Sequence, residues 1–175
     1  MPLSNGRLPK TSPFSASFLA LNGLLGALAL VLSALETLLP AMPFLPPGAK
    51  LGLSNLATMY AAGCIGLFPA LCIAVMKGLF AGLLRGITAM LMSLAGGICS
   101  TLIMWAVSRR DRFGMIGVGI LGALAHNAAQ LLVAWALTSA AVFWYTPVLI
   151  LFSLLTGTVT GVLLRVVMPL LKKLS

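Results

Sequence analysis

The chain is short of nearly everything that catalysts and water-facing proteins use. Its 175 residues include two acids, Glu36 and Asp111, one histidine, His126, and three cysteines. Two acids far apart in sequence give no aspartate-rich site for magnesium, a hard cation held by clustered carboxylate oxygens. Cys64, Cys72 and Cys99 stand in apolar runs with neither CxxC spacing nor a histidine pattern beside them. No zinc site and no disulfide framework is expected, and core packing is their plainer role. A Walker sequence and a Ser-His-Asp set are also missing, and one histidine does not make an active site. No cofactor is expected.

What is present is apolar. Hydrophobic residues make up 61% of the chain, charged residues 7%, and the mean hydropathy is +1.13, which describes a chain whose solvent is lipid. Eleven Lys and Arg give a formal charge of +9. Most are scattered at the ends of apolar runs, where membrane topology rather than nucleic acid accounts for them. The expectation is an all-α, polytopic helix bundle forming a single integral membrane domain over 1–175, with 1–15 as a cytoplasmic tail.

Six spans are expected, at about 16–37, 52–68, 69–85, 87–108, 114–138 and 146–168. Arg7 and Lys10 followed by an apolar run with Ala27-Leu28-Ala29 resemble a signal peptide, but the run from Ser17 to Leu35 is longer than such a segment needs, so a retained first span is expected. Pro69 and Pro147 stand where helices begin, and Arg85-Gly86 divides a run that would otherwise be continuous. The third span is short, since only fifteen residues separate Pro69 from Arg85, a helix of ~22 Å, and five spans remain an alternative. Six spans put both termini in the cytoplasm with Arg7, Lys10, Arg109, Arg110, Arg112, Lys172 and Lys173, and leave Lys50 in an outer loop. The loops at 38–51, 85–87 and 139–145 then face outward together.

Small and polar residues recur at helical spacing on three spans: Ser93, Gly96, Gly97, Ser100 and Thr101; Gly119, Gly122, Ala123, His126, Asn127 and Gln130; Ser153, Thr156, Gly157, Thr160 and Gly161. In lipid such faces turn toward other helices, and for the glycines close packing is the plain reading. His126, Asn127 and Gln130 place three hydrogen-bonding side chains within about one turn, a polar patch away from water that serves structure or ligand equally well.

Lys77 sits near the centre of its span, where inserting a charge costs ~2.5–3.5 kcal/mol. Lys77, Ala81 and Arg85 recur every four residues, so both cations share one helix face. Glu36 alone cannot neutralise Lys50, Lys77 and Arg85. This surplus predicts a pocket for a small anionic or strongly polar ligand; the structural alternative is snorkelling plus pairing with Glu36. The stretch from Glu36 to Asn55, ETLLPAMPFLPPGAKLGLSN, is a rigid, proline-set segment suited to ligand contact.

Glu36 with Pro40, the string Pro47-Gly48-Ala49-Lys50-Leu51-Gly52-Leu53-Ser54-Asn55, Ser93-Leu94-Ala95-Gly96-Gly97, and Gly122-Ala123-Leu124-Ala125-His126-Asn127-Ala128-Ala129-Gln130 together resemble the Gx transporter family, also named heptaprenyl diphosphate synthase component I. The resemblance spans about 17–168. Ala129 stands where a glycine is expected, and Ser54 where alanine is commoner. The family is similar in plan to the S components of energy-coupling factor transporters, and this implies six helices, an outward-opening site and a first outer loop, here 40–52, that folds over the ligand. It also implies a bacterial cytoplasmic membrane, and a small-residue face on the first helix, here Ala16, Ala20, Gly23 and Ala27, that docks a transmembrane coupling protein carrying ATPase subunits. Packing against neighbouring helices is the alternative for that face.

The family's second name raises another partner, a soluble prenyl synthase subunit. The polypeptide lacks the DDxxD-type cluster needed to be that enzyme by itself. The expected site residues are Glu36, Lys50, Asn55, Lys77, Arg85, His126, Asn127 and Gln130. Three functions stay open: a substrate-binding transporter component, a non-catalytic membrane subunit for polyprenyl diphosphate or quinone-precursor synthesis, and a plain assembly scaffold.

Overall fold

A computed structural model describes residues 15–38, 52–110 and 112–174. Lys50, and all but Gly52 of the loop at 40–52, lie outside the described residues. Among those described, every regular element is helical. Helix α1 covers Ala16–Leu38, α2 Asn55–Tyr60, α3 Leu67–Arg85, α4 Ile87–Ser108, α5 Met115–Leu137 and α6 Thr146–Leu174.

Local chemistry sets the ends of these helices. Ser15 Oγ accepts the Phe18 N–H at 3.2 Å and so satisfies one of the orphan donors at the start of α1. Pro69 falls in the first turn of α3 and Pro147 in the first turn of α6, where a missing N–H breaks no helical bond. Between α3 and α4 the chain turns at Gly86, whose φ of 86° and ψ of 179° belong to a region that is essentially glycine's own. The expected division at Arg85-Gly86 is therefore where the structure makes it.

Among the described residues, five helices are long and apolar enough to cross a membrane: α1, α3, α4, α5 and α6. The stretch expected as a second span, 52–68, is built differently. A turn at Gly52 leads into the six residues of α2, which widen into a five-residue π-helix, Ala61–Ile65, closed by the Gly66 N–H on the Ala61 carbonyl at 2.8 Å. At 1.5 Å per residue this piece is about 16 Å long, half a membrane. Ala57, Thr58, Met59, Tyr60, Ala61, Ala62 and Cys64 are all buried, and α2 touches each of the five long helices. Its apolar residues are covered by protein rather than facing outward. α3, expected to be short, starts two residues before Pro69 and reaches 19 residues.

The long helices after α2 pack in sequence, α3 on α4, α4 on α5 and α5 on α6, while α1 lies against α3 and α2. Glycine sets the closest approach. A methyl group added at Gly157 would stand 2.5 Å from Ile120 Cα, and one at Gly161 would stand 2.5 Å from Ile116 Cα, so α5 and α6 meet backbone to backbone. Large apolar side chains such as Leu24, Leu28 and Val31 on α1, and Leu151, Leu155 and Val166 on α6, point outward. Cys64 is buried, but Cys72 and Cys99 lie on outer faces, so core packing holds for only one of the three cysteines.

Candidate functional site

The inner face of α1 runs through Leu25, Ala29, Ser33 and Glu36, spaced so that the serine and the carboxylate lie one turn apart on the same side. Glu36 is buried. Its carboxylate accepts the Leu53 N–H and, at 3.3 Å, the Ser54 hydroxyl, which fixes the entry to α2 against the end of α1. Two residues further on, Asn55 Oδ1 accepts a hydrogen bond from Lys77 Nζ at 2.7 Å. Lys77 is 5% exposed, and a charge so placed requires polar partners within the protein.

Arg85 closes the same face of α3 two turns later, exposed at the helix end and within electrostatic reach of Glu36. Opposite lie the polar residues of α5. His126 rests its ring against Gly96 of α4, so closely that a methyl group there would meet the ring Cε1 at 2.8 Å. Asn127 is buried and donates through Nδ2 to Ser153 Oγ at 2.7 Å, and Ser153 in turn donates to the Leu149 carbonyl at 2.6 Å. Hydroxyls within helices thus dispose of their own protons and leave their oxygens to face neighbours.

These groups surround one cleft. Its walls include Glu36, Asn55, Lys77, Arg85, His126, Asn127 and Gln130, with Ser33, Ser54, Ser93, Thr156 and Thr160 adding hydroxyls and Met59 and Met104 adding apolar surface. Seven of the eight expected site residues therefore meet at one place, and Lys50 lies outside the described residues. Ser33 was not expected. Counting back three from Glu36 along a helix would have found it. The cleft encloses about 40 Å³, room for roughly three waters. Two cations face one carboxylate, so the walls favour negative charge.

The small residues expected at a docking face point elsewhere. Ala16, Ala20, Gly23 and Ala27 are all exposed, and no atom lies within 4 Å of where a Gly23 side chain would start. This face is turned outward rather than into the described bundle.

The sequence model for heptaprenyl diphosphate synthase component I matches residues 25–167, which takes in the cleft and all five long helices in whole or large part. The chain belongs to that family. It is a helical membrane protein of the heptaprenyl diphosphate synthase component I family, as its motifs imply. No curated protein and no solved structure matches it.

Proposed function

We propose that this family member is the substrate-binding membrane component of a transporter, taking a small anionic or polar ligand from the outer face. The observation that carries the reading is the convergence of Lys77, Arg85, His126, Asn127 and Gln130 on one cleft, from helices up to 53 positions apart in sequence. A helix-packing role alone does not call for two cations near a single carboxylate inside a membrane domain. Lys77 and Arg85 complement the ligand's negative groups, and His126, Asn127 and Gln130 bond its polar atoms. In the cleft as it stands there is space for water only, so binding requires the surrounding elements to part.

Glu36 near the end of α1 is within electrostatic reach of Arg85 at the end of α3, so these two helices end on the same side and the short stretch between them counts as a return crossing. Six crossings with the positive-inside distribution support both termini in the cytoplasm of a bacterial cell, with Arg85 and the outer end of α5 toward the exterior. On this reading ATP is hydrolysed by a partner and not by this chain. Movement across the membrane is driven by a separate module, whose differential affinity for loaded and empty forms supplies direction. The exposed face of Ala16, Ala20, Gly23 and Ala27 allows a partner helix to approach closely, and it is where that module's transmembrane coupling protein docks.

The family description supports a second reading, a non-catalytic membrane subunit that assists a soluble prenyl synthase. Affinity purification from native membranes in mild detergent, with mass spectrometry of proteins and retained small molecules, separates the two. Paired ATPases with a coupling protein support the transporter component. A soluble prenyl synthase without ATPases supports the subunit reading.

A further inference from the structure

A second cavity adjoins the cationic cleft, and the two share a wall. It is a partly open space of about 190 Å³ between α4, α5, the 3₁₀ segment Ala140–Tyr145 and the start of α6. Met92, Leu131, Ala134, Leu137, Val142 and Leu149 give it an almost wholly apolar lining. Asn127 and Gln130 belong to both spaces. They stand three positions apart on one face of α5 and so form the seam between a polar compartment and an oily one. α4 straddles the same seam, because Ser93 lines the cleft while its neighbour Met92 lines the cavity.

The two compartments differ in the chemistry they accept. The cleft offers Lys77 Nζ, the Arg85 guanidinium and several hydroxyls, but little volume. The cavity offers volume with few hydrogen-bonding partners, so it favours an apolar group over water. An apolar cavity of about 150 Å³ accommodates benzene, and this one is larger. Its position against the amides of Asn127 and Gln130 places an apolar group directly beside a head group held by the cations.

We propose that the ligand is amphiphilic, with an anionic head held in the cleft by Lys77 and Arg85 and a short alkyl or aryl tail in the cavity lined by Met92, Leu131, Ala134 and Val142. The assignment rests on reading the cleft as an anion site. Each methylene that enters the cavity raises affinity about threefold to fourfold, until the space is filled.

The test is calorimetric titration of the purified protein in lipid nanodiscs with inorganic phosphate and with ethyl, butyl, hexyl and octyl phosphate. The expected result is phosphate binding that tightens stepwise along the series. Ala134→Trp removes that increment by filling the cavity, while inorganic phosphate still binds. Val142→Phe, placed on the 3₁₀ segment rather than on a packed helix, repeats the test should the tryptophan variant fail to fold. Inorganic and octyl phosphate binding alike would overturn the tail site and leave the anion cleft standing. A chain-length increment that survives both filling variants would also overturn it, by assigning the gain to the surrounding lipid. Absence of binding by every phosphate would overturn the cleft reading together with the tail site.

Discussion

Lys77 Nζ lies 2.7 Å from Asn55 Oδ1, which ties a cation in the middle of α3 to the first residue of the short central helix. Because α2 touches all five long helices, this bond links the charge of the cleft to the element that holds the bundle's centre. Asn55→Leu removes an acceptor from a buried ammonium and is expected to destabilise the fold by about 1.5–3 kcal/mol. Lys77→Met removes charge and donor together and is expected to cost less. In a double-mutant cycle read by thermal unfolding, the pair should couple by about 1–2 kcal/mol. Additive effects would show that the bond contributes little.

The α5–α6 contact predicts a sharp contrast between glycines. Gly157→Val forces a branched side chain into the Ile120 backbone and is expected to lower stability by at least about 1–3 kcal/mol, with loss of the monodisperse species on size exclusion. Gly114→Ala introduces a methyl group into open space at an ordinary φ of −73°. Because Gly114 caps α5, the substitution should cost no more than about 1 kcal/mol and leave the size-exclusion profile unchanged.

Gly96→Ala separates the cleft's shape from the fold's stability. Its methyl group meets the His126 ring, the end of a movable side chain, rather than backbone. The ring is expected to swing aside, with unfolding shifted by less than about 1 kcal/mol and ligand retention reduced. Unchanged retention would remove His126 from the binding site.

On α1 the expectation is reversed. Gly23→Leu and Ala20→Leu place bulk on an exposed face with space around it, so thermal stability should stay within about 0.5 kcal/mol of the parent. Under the proposed function, recovery of a transmembrane coupling protein in affinity purification should fall. A stable variant that retains its partners would move the docking surface elsewhere.

The long spans were legible because proline, glycine and charge punctuate uniform apolar runs: α1, α4, α5 and α6 begin within a residue or two of where those signals put them. The stretch from Asn55 to Ile65 was not legible as a short central helix. Apolarity states only that a segment avoids water, and a helix enclosed by protein reads like one facing lipid. The same ambiguity hid the outward positions of Cys72 and Cys99. Most of the cleft could be read, because a mid-span lysine and a His-Asn-Gln patch are costly in lipid unless they meet. The hydroxyl of Ser33 escaped notice because a lone serine in a helix carries no such cost. The adjoining apolar cavity left no mark in the sequence, since its lining residues are those any span would have.

The most direct test of the cationic cleft is native mass spectrometry of the protein purified from its own membranes, beside the Lys77→Ala/Arg85→Ala double variant. The account predicts a small anionic molecule retained by the parent and lost from a variant that remains folded. An equal amount of the same molecule on both proteins would contradict it.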